Sequence, residues 1–187
     1  MRKPAIWLAL VALVGVSTFN LHAGNLAGVT LPDTEQVGST KLVLNGMGLR
    51  TKFMVKVYVA GLYLQQKSAD PNAIIKADEP KRIVMHFLHS ASKNQMSDAF
   101  NESFNDNSPE PVKTMKAGID RLLNALEPVK PGDQMVFTYV PGAGTTFAVN
   151  GKEKLTIAGP AFGPVLFSVW LGPKPPNGDL KKGLLGQ

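Results

Sequence analysis

The stretch Lys41–Gln65, KLVLNGMGLRTKFMVKVYVAGLYLQ, decides how this chain is read. Lys41 to Arg50 has the composition of a strand, with Gly46 and Gly48 near its end. Glycine inside a strand marks a bulge or a place where something approaches the backbone closely. A turn is expected at Thr51 to Phe53, after which Met54 to Gln65 resumes as a long strand. Its alternation puts Val55, Val57, Val59, Gly61 and Tyr63 on one face and Lys56, Tyr58, Ala60, Leu62 and Leu64 on the other. Both faces are mostly apolar, so the strand is expected in the middle of its sheet or beneath helices, and Tyr58 must find a polar partner.

Working outward, Asn25 to Leu31 reads as a first strand closed by Pro32-Asp33. Asp70-Pro71 has the form of an N-cap followed by proline at the first helical position, opening a helix to about Ala77. Lys81 to Leu88 is a strand. Ser92 and Gln95 match a capping box, and Met96, Ala99, Phe100 and Phe104 recur at helical spacing to about Asn105. A second helix opens at Ser108-Pro109-Glu110, carries Val112, Met115, Ile119, Leu122, Leu123 and Leu126 on one stripe, and stops at Pro128. Gln134 to Val140, Thr145 to Val149 and Glu153 to Ile157 form a meander, the last two joined by the hairpin signal Asn150-Gly151. Phe162 to Leu171 suits a buried helix with Pro164 in its first turn, and Asp179 to Leu185 a short terminal one. An antiparallel sheet with helices segregated in the middle and at the end is an α+β architecture.

Residues 1–23 have the form of a secretory signal peptide. Arg2 and Lys3 precede an apolar run from Ala5 to Phe19, and Leu21-His22-Ala23 ends in a small residue before Gly24. The run is shorter than the ~20 residues that span a bilayer comfortably. Residues 24–187 are then a single periplasmic domain, with no stable membrane insertion once the signal is removed. A chain of 187 residues can bury its own core, and its 44% hydrophobic and 18% charged residues suit a globular protein. Its formal charge of +6 includes Arg2 and Lys3, and the remaining lysines are scattered rather than gathered into a stripe, so no nucleic-acid partner is expected.

The absence of cysteine excludes disulfides, thiol catalysis and cysteine-ligated metals. His86 and His89 lie across a strand end and face opposite sides, so no metal site and no cofactor are expected. The carboxylates are scattered, no serine sits in a nucleophile elbow, and Gly142-Ala143-Gly144-Thr145 is a hairpin turn rather than a phosphate loop. What remains is Arg50. A guanidinium fork beside glycines, followed by strands with apolar faces, suits an anionic head in a cleft whose walls take an apolar tail, and the Tyr58 phenol can add a further hydrogen bond. The residues also allow Arg50 to be exposed at a turn and Tyr58 to be a core tyrosine tied to a backbone carbonyl.

At NGMGLRTKF, VKVYVAGLYL and VWLGPKPPNGDLKKGLLG the chain resembles the chalcone isomerase-like family, and more closely its bacterial secreted branch, over roughly Val29 to Gly186. The resemblance implies an open-faced β-sandwich, a curved antiparallel sheet with helices packed on it and a ligand cleft between. It also implies that Arg50 points into that cleft. The family holds enzymes that cyclise chalcones and non-catalytic members that bind fatty acids. Where the enzymes carry a threonine this chain has Tyr58, which resembles the fatty-acid-binding members, where arginine and tyrosine together hold the carboxylate. Lys93 and Phe100 fall near positions where the enzymes carry tyrosine and asparagine. The resemblance thus implies a secreted, non-catalytic protein that binds a fatty acid or similar apolar acid through Arg50 and Tyr58, with Met96, Phe100, Phe104 and Phe162 along the tail. An intramolecular lyase of chalcone isomerase type and an envelope scaffold or interaction protein with a filled cleft are the alternatives.

Overall fold

Tight turns and helix caps divide the chain into β1 (Ala23–Leu26), β2 (Val29–Pro32), β3 (Thr34–Val37), β4 (Thr40–Lys52), β5 (Val55–Leu64), α1 (Pro71–Lys76), β6 (Lys81–Phe87), α2 (Lys93–Asn107), α3 (Pro109–Ala125), β7 (Gln134–Val140), β8 (Gly144–Val149), β9 (Lys152–Ala158), α4 (Phe162–Leu171) and α5 (Gly178–Leu184). This is a computed structural model and describes residues 23–187. The signal peptide expected at residues 1–23 lies, apart from Ala23, outside the described residues.

β3 to β9 form one curved sheet in sequence order, every neighbour antiparallel, while β1 and β2 make a separate hairpin. One face of the sheet packs against the helices. Tyr58, Ala60, Leu62 and Leu64 of β5 join Phe100, Phe137, Leu166 and Trp170 in that core. The other face carries Val59 and Tyr63, and Val29 and Leu31 of β2 cover it. β5 is therefore buried on both sides, as its composition requires. The Tyr63 hydroxyl satisfies itself on the Pro32 carbonyl at 2.8 Å.

Local signals produced most of the elements. Asp70 accepts from the Asn72 and Ala73 amides at the start of α1, and Ser92 with Gln95 makes both bonds of a capping box on α2. α4 is apolar but for Ser168 and, from Phe162 to Leu171, is buried except at Pro164. The expected first strand is instead the β1–β2 hairpin, because Ala27 and Gly28 adopt left-handed φ of 51° and 83° and reverse the chain inside the apolar run. β3, with one apolar side chain in TEQV, carries no strand signal of its own and exists by pairing with β4.

The glycines of the opening stretch meet a helix. A Cβ on Gly46 would stand 2.1 Å from the Gly183 carbonyl oxygen, and one on Gly48 would stand 2.2 Å from that of Leu180. α5 thus lies directly on the β4 backbone. Between Leu44 and Gly46 the register slips, leaving Asn45 as a bulge residue whose amide donates to the Leu184 and Ser68 carbonyls at 2.8 and 3.0 Å. The glycine-arginine stretch and the C-terminal stretch that carried the family resemblance are therefore one packed unit.

A second irregularity positions the site. Arg50 pairs with Tyr58 but Thr51 pairs with Lys56, so Val57 is an extra residue in β5. Its carbonyl accepts from both the Leu88 and His89 amides, at 2.9 and 3.2 Å. A bulge reverses the alternation beyond it. The strict parity expected along β5 therefore fails at its start: Val55 and Val57 turn to the helix-side face with Tyr58, and Lys56 turns away.

Candidate functional site

β4 delivers Arg50 and β5 delivers Tyr58 to opposing positions on the helix-side face, where directly paired residues lie side by side. Beside them is a cavity of about 550 Å³, open on one side. Its mouth is formed by Arg50, Lys52, Phe53 and Val55, its wall by Met96 and Phe100 of α2, and its base by Tyr58, Phe87 and Trp170. Lys174, Pro175 and Pro176, in the link from α4 to α5, close the rim next to Arg50. That link is held by Asn107, whose amide donates to the Lys174 carbonyl and whose oxygen accepts the Lys174 amide, at 2.9 and 2.8 Å.

The aromatic base is a rigid cluster. Tyr58 meets Phe87 edge to face at 5.7 Å between centroids, and Phe100 meets Trp170 likewise at 6.0 Å. The Trp170 indole N–H donates to the Tyr58 hydroxyl at 3.2 Å. An indole can only donate, so the phenol is the acceptor there and its own O–H remains available. Burial pushes the Tyr58 phenol up to about 12, against the pull of the Trp170 N–H and the Arg50 charge, so it is a protonated donor at neutral pH. Arg50 is half-buried and gives one N–H to the Thr51 carbonyl at 2.6 Å. Among the described residues no carboxylate pairs with it. Two convergent donors, one of them cationic, at the head of an apolar cavity can take a carboxylate or another small anion.

Of the residues singled out in the sequence, Arg50, Tyr58, Met96 and Phe100 come together around the cavity. Phe104 and Phe162 do not. Each is 1% exposed, and they pack on one another at 6.4 Å in the layer behind Phe100. Phe104 is one helical turn further along α2, so its ring enters the core rather than the cavity. Sequence reasoning missed Trp170, Phe87, Val57 and the rim at 174–176. Trp170 stood in the quoted C-terminal motif, but nothing in that motif says that its N–H reaches Tyr58. His89 lines the cavity, whereas the His86 ring meets the Gln134 amide at 3.4 Å. Among the described residues no group of histidine and carboxylate side chains is placed to hold a metal.

A buried cation lies away from the cavity. Lys81 is 1% exposed and donates to the Ile74, Ile75 and Ala77 carbonyls at 2.6, 3.2 and 2.7 Å, capping the C-terminus of α1. Its ammonium also lies 5.4 Å from the centroids of the Tyr139 and Phe167 rings. Burial pulls it down to about 8, opposed by the carboxylates of Asp78 and Glu79. All three of its N–H groups are used within the protein, which makes it a structural lysine.

No curated protein matches the chain. Among solved structures it is similar to the crystal structure of the Arabidopsis thaliana fatty-acid binding protein AtFAP1, with a TM-score of 0.68 at 13% identity over 88% of this chain and 96% of that one. At that identity the likeness establishes the fold. The model of the family described as chalcone isomerase-like matches residues 23–186, which is nearly all of the described chain. The protein belongs to the chalcone isomerase-like family.

Proposed function

We propose that the protein binds a fatty acid or similar apolar carboxylate, its head on Arg50 and Tyr58 and its tail against Met96, Phe100, Phe87 and Trp170. The observation that carries this reading is a half-buried arginine without a carboxylate partner, set directly across a strand pair from a phenol whose O–H is free, at the mouth of an apolar cavity. A volume of about 550 Å³ falls within the ~300–1,000 Å³ of ordinary small-molecule sites. That volume also favours a binding role over a scaffold with a filled cleft. Phe104 and Phe162 back the wall rather than touch the tail. The structural relative is by its name a fatty-acid binding protein, which supports the ligand class.

Binding is favoured over cyclisation. Lys93, near a position where the family's enzymes carry a polar side chain for the substrate, spends its ammonium on the Asn124 carbonyl at 2.6 Å. Phe100 offers the cavity only a ring. The proposal includes export through the leader at residues 1–23, which cell fractionation and the N-terminus of the exported form test.

Native mass spectrometry of the purified protein, followed by lipid extraction, is the decisive measurement. A co-purifying monocarboxylic acid that is lost in Arg50→Ala is expected. Wild type and variant equally empty, and equally unresponsive to added fatty acid in calorimetry, would remove the reading.

A further inference from the structure

Acid binding leaves the tip of the β4–β5 hairpin unexplained. Lys52 pairs with Val55, so the loop is the two residues Phe53 and Met54, and both hold left-handed φ, 50° and 65°. This is the primed turn that matches strand twist and suits asparagine and glycine. The chain makes the same turn at Ala27-Gly28, with φ of 51° and 83°, and at Asn150-Gly151, with φ of 49° and 76°. Asn150-Gly151 follows the backbone preference at both positions and Ala27-Gly28 at its second, whereas the loop at the cavity mouth opposes it at both with bulky side chains. Neither is buried in return. Phe53 is 89% and Met54 99% exposed, with Val55 beside them at 41%. Strained backbone that presents apolar side chains to solvent points to a partner outside the chain.

The flanking charge selects the partner. Lys52 and Lys56 are both exposed, and among the described residues neither forms an ion pair. The Val57 bulge sends them to opposite faces of the hairpin, so a cation stands on each side of the apolar tip. From Arg50 to Lys56 there is no acidic residue. The acidic groups lining the cavity are Glu102 and Asp106, both on α2, and Asp106 is paired with Lys174 at 3.0 Å. Apolar side chains between lysines match a lipid interface, the rings and thioethers entering the acyl boundary and the ammonium groups reaching headgroup phosphates. A second copy of the chain fits poorly, because a two-fold contact through the tips would bring the same lysines together.

We infer that the β4–β5 tip docks on an anionic bilayer surface through Phe53 and Met54, with Lys52 and Lys56 on the lipid phosphates, and so sets the cavity mouth against the membrane. Docking stands independently of what the cavity holds.

Phe53→Asn/Met54→Gly separates docking from folding, since it removes the apolar tip while supplying the residues that the turn prefers. The protein as purified, with its N-terminus read by intact mass, is floated with vesicles of phosphatidylcholine and with vesicles of phosphatidylcholine and phosphatidylglycerol in equal parts. Wild type is expected to float with the mixed vesicles, and Phe53→Asn/Met54→Gly to melt at a higher temperature yet partition at least about tenfold less. Lys52→Glu/Lys56→Glu should lose about tenfold on mixed vesicles and little on neutral ones. Met54→Trp should show blue-shifted emission with mixed vesicles. Equal flotation of wild type and the Asn-Gly variant overturns the inference. So does wild type that stays with the soluble fraction, or a wild-type dimer that the variant loses.

Discussion

Trp170 reaches from α4 to donate its indole N–H to the hydroxyl of Tyr58, 112 residues away, at 3.2 Å. The bond does two things at once. It satisfies a buried donor, and it fixes the lone pair of the phenol so that the phenolic proton is left for the cavity.

Tyr58→Phe should therefore act on both binding and stability. The Trp170 N–H loses its acceptor, and an orphaned buried donor costs about 1–3 kcal/mol. Fatty-acid affinity should fall by about tenfold as a hydrogen bond to the charged head is lost. Trp170→Phe keeps the Tyr58 donor but releases its orientation, so its effect on affinity should be the smaller. Calorimetric titration with a fatty acid and urea denaturation of both variants check the order.

Alkaline titration should distinguish the folded protein sharply from the unfolded chain. Tyr58 and Tyr139 are pushed from 10.0 to about 12, chiefly by burial, and Tyr63 is raised further by burial beside Glu35. Tyrosinate absorbance should stay low until well above pH 10 and appear near 10 in denaturant. Each raised phenol contributes stability that is present below 10 and is lost as pH climbs through 12. Lys81 has the opposite sign. Its folded value of about 8 lies below 10.5, so the folded state sheds its proton first and stability rises across that interval. The urea midpoint should accordingly rise from pH 8, peak near 10 and fall beyond it.

Gly48→Ala and Gly178→Ala form a matched pair. The first places a methyl 2.2 Å from the Leu180 carbonyl, so α5 must move off β4, and a loss of about 3 kcal/mol or more is expected. The second meets nothing within 4 Å, begins α5 and has no left-handed φ, so it should be neutral or slightly stabilising. Equal effects in thermal melts would contradict the close approach of α5.

Lys81→Met keeps the apolar stem under the Tyr139 and Phe167 rings but removes three donors. The Ile74, Ile75 and Ala77 carbonyls then lose their cap, and a loss of about 3 kcal/mol is expected by urea denaturation. The cavity lies elsewhere, so fatty-acid affinity should change little.

The elements were legible wherever a local rule governs them. Asp70-Pro71, the Ser92 and Gln95 box and Asn150-Gly151 act within a few residues, and each produced the expected structure. β3 was not legible, because it owes its existence to β4 rather than to TEQV. The turn at Ala27-Gly28 lay hidden in an apolar run. The head of the candidate site could be read because an arginine among glycines is conspicuous, but Phe104 and Phe162 could not be separated from Met96 and Phe100. All four share apolar character, and only the placement of α2 and α4 over the sheet decides which side chains meet the cavity. Lys81 was unreadable as a buried cap, since its acceptors are carbonyls that every residue carries.

The extra residue at Val57 makes the composition of the mouth a matter of counting. An insertion of one residue in β4 opposite it, between Arg50 and Thr51, would leave Arg50 and Tyr58 opposed, yet exchange Val55 for Lys56 at the entrance and turn Lys52 to the other face. Relatives whose hairpins differ by a single residue here would thus offer an incoming molecule a valine beside the lysine at the threshold in one case and a threonine beside it in the other, while every side chain deeper in the cavity stayed the same. Entry can be retuned without touching what is held.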